Sequence, residues 1–163
     1  MTRAIVVLLI AVIATACGSS GPTPSPLRGE LPKTVGGQPI TYTETAASQT
    51  GDHLVHFEQP IEAVGGDIAT ADVAIGTGQD GFTLTAVRVP GVDARRLVDP
   101  LIAAADLRET ARQTLVVGGH NVVVLTLPPT SSDRAYVYAF GETAVILTTS
   151  QSAFADEVIG SLP

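Results

Sequence analysis

The chain has 163 residues, a formal net charge of −7 with histidines neutral, 45% hydrophobic and 4% aromatic residues, no tryptophan and a single cysteine. An acidic chain without a basic stripe argues against nucleic acid, which needs clustered cations, and against lying flat on anionic lipid. One cysteine excludes an internal disulfide framework, and the length suits one domain with its own core of valine, isoleucine, leucine and alanine.

Arg3 charges the N-terminus, and Ala4 to Ala14 is unbroken apolar sequence. At about 1.5 Å per helical residue this run reaches roughly half of a ~30 Å hydrocarbon core. That is short for a transmembrane helix and right for the apolar region of a signal peptide. Ala14-Thr15-Ala16-Cys17 closes the run, with small residues suited to cleavage. A lone thiol at this place reads as a lipid acceptor; the bland alternative is an ordinary secreted protein cut nearby. On these residues the N-terminus resembles the bacterial lipoprotein class, whose signal ends in a lipobox with cysteine at the cut. The class usually has leucine three positions before the cysteine, and here that position is Ala14. The resemblance covers Met1 to about Ser20. It implies diacylglyceryl transfer to the Cys17 sulfur, cleavage before it, and a stable anchor, because two or more acyl chains hold where one binds marginally.

Gly18-Ser19-Ser20-Gly21-Pro22-Thr23-Pro24-Ser25-Pro26 follows. Small residues and prolines bury too little to offset ordering, so this stretch reads as a semi-rigid spacer. The expected organisation is a signal peptide over 1–16, a lipidated cysteine and spacer over 17–33, and one domain over 34–163.

Gln38 to Thr45 alternates and is rich in β-branched residues, the pattern of a strand. Asp52 could cap a helix with Leu54, Phe57, Ile61 and Val64 on one face, interrupted or kinked at Pro60 and ended by Gly65-Gly66. Ala71 to Ile75 and Phe82 to Val89 read as a strand pair, stopped by Pro90-Gly91. Asp93 caps a helix carrying Leu97 and Leu101 inward, with Pro100 as an interruption or a second start. Gln113–Val117, Asn121–Leu127, Arg134–Phe140 and Ala144–Thr149 form two hairpins, and a helix runs from about Ser152 to Ser161. The acids Asp156 and Glu157 sit towards its favourable N-terminal half. These elements predict an α+β fold of two layers: a largely antiparallel sheet of about six to seven strands with two to three helices on one face. Val122-Val123-Val124-Leu125 should be its central, doubly covered strand. Val35-Gly36-Gly37 and Val117-Gly118-Gly119 echo one another, each before a strand pair and a helix, which suggests a repeated unit.

Gly76-Thr77-Gly78-Gln79-Asp80-Gly81 matches G-x-G-x-x-G, but a strand-like segment follows it where a dinucleotide site needs a helix. A hairpin loop explains the glycines better. His53 and His56 could share a helix face, yet nothing near them completes a metal-ligand spacing. His120 falls in or beside a solvated turn. Ser131-Ser132-Asp133 lacks a nucleophile elbow and reads as a loop. Arg95-Arg96 reads as a solvated helix face. The expectation is no catalytic, metal or cofactor residue, with Cys17 alone carrying a modification.

The mature part resembles the small predicted lipoproteins of actinomycete-type bacteria, through Val117-Gly118-Gly119, Tyr136-Val137-Tyr138-Ala139-Phe140-Gly141 and the terminal Leu162-Pro163. That resemblance lends no activity. The expected function is a lipid-anchored extracytoplasmic binding domain without catalysis, on the outer face of the cell membrane, meeting an envelope protein and no nucleic acid. The alternative is a carrier of a lipid or other small apolar molecule.

Overall fold

The structure is a computed structural model and describes residues 26–49, 57–78, 81–105, 111–127 and 134–163. A short helix α1 (Pro26–Glu30) precedes strands β1 (Thr34–Val35) and β2 (Gln38–Pro39), which pair in a small sheet of their own. The chain continues through β3 (Thr41–Ala46), a 3-10 turn Ala47–Gln49, α2 (Glu58–Ala63), β4 (Asp72–Thr77) and β5 (Thr83–Arg88). A second 3-10 turn (Ala94–Leu97) runs into α3 (Val98–Ala104). Then come β6 (Ala111–Val117), β7 (His120–Thr126), β8 (Arg134–Phe140), β9 (Thr143–Thr149) and α4 (Ser152–Gly160).

The large sheet has seven strands in the order β3-β4-β5-β9-β8-β7-β6, and every neighbouring pair is antiparallel. Alternation along each strand sorts the side chains into two apolar layers. Leu84 and Ala86 of β5, Val145 and Leu147 of β9 and Tyr136 of β8 meet Leu27, Phe154, Val158 and Ile159 on one face. Val87, Ala144, Ile146 and Val137 meet Ile61, Leu97 and Leu101 on the other. The first face is therefore covered by α1 and α4, and the second by α2, α3 and their turns.

The α+β class and the antiparallel sheet are as the sequence predicts. The placement of the helices differs: they lie on both faces, giving three layers instead of two. The cause is the apolar character of β5, β8 and β9 on both sides, which one layer of helices could cover on one side only. The middle strand is β9, buried without a break from Thr143 to Leu147. Val122, Val124 and Leu125 are buried as expected, but β7 is second from the edge, not central.

The folded part also begins earlier than expected. Leu27 and Leu31, assigned to the spacer by sequence, are 0% and 4% exposed in the first core. Pro60 and Pro100 do not break their helices. Each is the third residue of its helix, where a backbone N–H has no intrahelical acceptor to lose. The expected Asp52 cap and Leu54 lie outside the described residues. Asp93 does cap: its Oδ1 accepts the Arg95 N–H at 3.0 Å, although the turn it starts is 3-10 before it becomes α3.

The echo between the two Val-Gly-Gly segments holds for the turns, whereas β1 and β2 form a small sheet of their own and β6 and β7 belong to the large one. Both glycine pairs are left-handed hairpin turns, with φ 55° and 74° at Gly36-Gly37 and 57° and 89° at Gly118-Gly119. From the β5–β9 pair the order runs outward to β4 and β3 on one side and to β8, β7 and β6 on the other. The helices break the correspondence, since α3 and α4 pack on opposite faces.

Candidate functional site

Cys17, the one residue to which the sequence assigns a modification, lies outside the described residues, as do His53, His56 and Ser131-Ser132-Asp133. Gly76 to Gly81 joins β4 to β5, antiparallel strands in register from Thr77↔Thr83. No helix N-terminus follows the glycines, so the geometry that cradles a pyrophosphate is not built there. Among the described residues no group of three or more histidine, cysteine or acidic side chains could hold a metal ion, and no helix is long and apolar enough to cross a membrane.

Among the described residues, clefts open at two places on the rim of the sheet. One, of about 380 Å³, has ionised groups that are already engaged. Glu142 pairs with Arg88 at 3.4 Å and accepts the Gly91 N–H at 2.8 Å, while Glu30 accepts the Thr143 hydroxyl at 3.2 Å. These contacts tie the β8–β9 turn to its surroundings.

The other cleft, of about 410 Å³, is lined by Arg95, Gly119, His120, Asn121, Tyr138 and Ala139. It exists because the β7–β8 ladder stops short. Pairing runs from Thr126↔Arg134 to Val123↔Val137, although β7 starts at His120 and β8 continues to Phe140. Over this stretch each strand stays paired on its other side, β7 to β6 as far as Val117↔His120 and β8 to β9 as far as Phe140↔Thr143. The sheet is split at this point, and the 3-10 turn before α3 brings Arg95 to the split.

The polar groups inside are ordered by one bond chain. The Tyr138 hydroxyl is 2.7 Å from a carboxylate oxygen of Pro163, the last residue, and 2.9 Å from His120 Nδ1. A carboxylate oxygen only accepts, so the single phenolic proton goes to Pro163. The phenolic oxygen must then accept from His120, which places a proton on Nδ1. The two rings lie 4.8 Å apart at 46°, and Tyr138 stacks on Phe140 at 5.7 Å. Burial raises the Tyr138 pKa above the ordinary phenol value, and the nearby Arg95 charge pulls it back down. Arg95 thus acts electrostatically on the same hydroxyl. Its backbone N–H is held by Asp93, while its guanidinium has no ion pair among the described residues.

The sequence reading placed His120 in a solvated turn and Arg95 on a solvated helix face. The structure half-buries His120 as the first residue of β7, and Arg95, though exposed, lines the cleft. Tyr138 was not singled out as a functional residue. Its one signal was the alternation Tyr136-Val137-Tyr138, which sends both phenols to one face. No protein family, curated protein or solved structure matches the chain.

Proposed function

We propose that the chain is a non-catalytic binding domain, held on the outer face of the cytoplasmic membrane by acyl chains on Cys17, that engages an envelope protein. The anchor rests on the apolar run ending in Ala14-Thr15-Ala16-Cys17. The observation that supports partner binding is the edge strand β6. It is seven residues long and exposed from Ala111 to Val116, and among the described residues no strand pairs with its outer side. Leu115 and Val116 are 39% and 72% exposed, adjacent and without a charged neighbour. Folded domains usually blunt such an edge with lysine, proline or a bulge, because it templates pairing with another chain. An extended segment of a partner can add to it as a further strand, through main-chain hydrogen bonds and alternate side-chain contacts. An apolar carrier is the weaker reading, since the helices on both faces already fill the space a lipid would enter.

The test has two arms. In the native bacterial host, the wild type should fractionate with membranes and carry acyl mass on Cys17, and Cys17→Ala should leave the membrane. A photo-crosslinker at Thr114, exposed on the same strand, should trap one envelope protein, and adding Val116→Lys should lose that product with little change in melting temperature. An unacylated Cys17 overturns the anchor. A product that survives Val116→Lys, or crosslinks only between copies of the chain, overturns the partner reading.

A further inference from the structure

We propose that the split between β7 and β8 is a binding site for an uncharged, extended peptide, which hydrogen-bonds to the main-chain groups of Asn121 and Ala139. The inference is independent of the anchor and of the β6 edge.

The register shows which groups are left over. β6–β7 and β8–β9 are two-residue hairpins, closed by the pairs Val117↔His120 and Phe140↔Thr143. The pair that flanks such a turn exchanges both of its hydrogen bonds, and the exchange recurs at every second residue. His120 and Val122 therefore turn their N–H and C=O groups to β6, and Phe140 and Tyr138 turn theirs to β9. Asn121 and Ala139 turn theirs to the split. In register they would form the next hydrogen-bonded pair, but the β7–β8 ladder ends at Val123↔Val137 and this pair is not made. Main-chain groups left open in this way template pairing with another extended chain.

Contacts at the two tips hold the split open. The β6–β7 turn is tied to α4, where the Gly118 N–H donates to Asp156 Oδ1 at 3.0 Å. The β8–β9 turn is tied to the 3-10 turn and to the end of β5: the Gly141 carbonyl accepts the Ala94 N–H at 3.0 Å, and the Glu142 carbonyl accepts the Val89 N–H at 3.1 Å. Helix α4 lies on the first face of the sheet and the 3-10 turn on the second, so the tips are drawn to opposite faces. A site that is already open costs its ligand no rearrangement.

The walls suit an uncharged peptide. Alternation puts the His120 and Tyr138 rings, 4.8 Å apart, on the first face, and the Asn121 and Ala139 side chains on the second, where Arg95 stands. The small Ala139 side chain leaves space across from Asn121, and the cleft of about 410 Å³ lies within the range of small-molecule sites. The Arg95 charge stands among the carboxylates of Asp93, which accepts the Arg95 N–H, and of Pro163, which accepts from Tyr138. A ligand anion meets these carboxylates and a ligand cation meets the guanidinium. Successive residues of an extended dipeptide aim their main-chain groups to opposite sides, so one pairs with Asn121 and the other with Ala139.

The experiment is a titration of the ¹⁵N-labelled full chain, in detergent, with N-acetyl-alanyl-alanine methylamide and with the analogue in which an ester oxygen replaces the N–H of the second alanine. Before peptide is added, the Ala139 amide should exchange with solvent faster than that of Val137, which is paired. The peptide should shift the Asn121 and Ala139 amide signals saturably and slow exchange at Ala139. The ester should bind about 5-fold more weakly, the worth of one hydrogen bond. Asn121→Pro removes a donor that β6 does not use, so it should weaken peptide binding by a similar factor and keep the dispersed spectrum of the wild type. The ester comparison stands whether or not that variant folds. An Ala139 amide as protected as Val137 without peptide, shifts that never saturate, or an ester that binds as tightly as the amide would each overturn the proposal. Shifts confined to Thr114 and Val116 would put the peptide on β6 and overturn it as well.

Discussion

Tyr42 shows how one side chain links packing to pH. It lies on β3, and its ring passes over Gly76 of β4, where a Cβ would sit 2.6 Å from the Tyr42 Cε1. The absent side chain makes room for the ring, and the hydroxyl donates to the Pro32 carbonyl oxygen at 2.7 Å. Burial raises the Tyr42 pKa well above the ordinary phenol value, with the Arg28 charge opposing it weakly. The unfolded chain, with an ordinary phenol near ~10, then loses this proton before the folded chain does. The stabilisation is complete below about pH 10 and falls as pH rises towards the folded-state value. Tyr138 adds in the same direction, but it is more exposed and its share is smaller. Tyr42→Phe should cost about 1 kcal/mol near neutrality, the net worth of one hydrogen bond. It should also flatten the alkaline decline measured by urea unfolding between about pH 9 and pH 11. An equally steep decline in the variant would place the alkaline sensitivity elsewhere.

At the scale of elements, α4 works as a clamp on two turns. Its neighbouring acids point about 100° apart around the helix. Asp156 Oδ1 accepts the Gly118 N–H at 3.0 Å, and Glu157 Oε1 accepts the Gly36 N–H at 2.7 Å. The sequence explains these acids by their place on the helix; the structure adds that each closes a glycine turn distant in sequence. The β6–β7 turn also touches the helix backbone itself. A Cβ at Gly118 would meet the Gly160 nitrogen and lie 2.6 Å from the Asp156 carbonyl oxygen, while a Cβ at Gly119 would meet nothing within 4 Å. Both residues have positive φ, so alanine at either costs about 1–2 kcal/mol of backbone strain. Gly118→Ala must in addition push α4 off the sheet. It should lower stability by about 2 kcal/mol more than Gly119→Ala in chemical denaturation, given what overpacking costs. Equal losses would mean that α4 yields freely and is no clamp. The turns themselves were legible, because Gly-Gly between alternating strands has few other uses. The close approach was not, because nothing near residue 118 announces the helix 40 residues on. The cleft escaped notice for the same reason. Arg95, His120 and Tyr138 belong to three separate elements, and only the strand order and the early end of the β7–β8 ladder bring them together.

For the whole molecule, the consequential feature is that one sheet carries two apolar layers. Alternation in the sequence gave seven strands their existence and approximate limits, because period-two burial is a local property. It did not give the helix placement, since α2 and α3 present apolar residues as readily to one face of a sheet as to the other. The choice is made by chain direction and crossover, which are not local. A two-faced core has a thermodynamic consequence. β5, β8 and β9 contribute side chains to both layers, so neither layer can melt while the other keeps its strands in register. All three tyrosines of the chain, Tyr42, Tyr136 and Tyr138, belong to the first layer, and there is no tryptophan, so intrinsic fluorescence reports that layer alone. Leu101→Ala opens a cavity in the second layer, at a position that is fully buried, and Leu147→Ala does so in the first. Each should cost about 2–5 kcal/mol, as buried leucine truncations do. If the layers fold as one unit, Leu101→Ala will move the tyrosine fluorescence transition as far as it moves the far-ultraviolet circular dichroism transition, although no tyrosine lies on its side of the sheet. A fluorescence midpoint that stays at its wild-type value while the dichroism midpoint falls would mean that the two layers melt separately and that the sheet does not couple them.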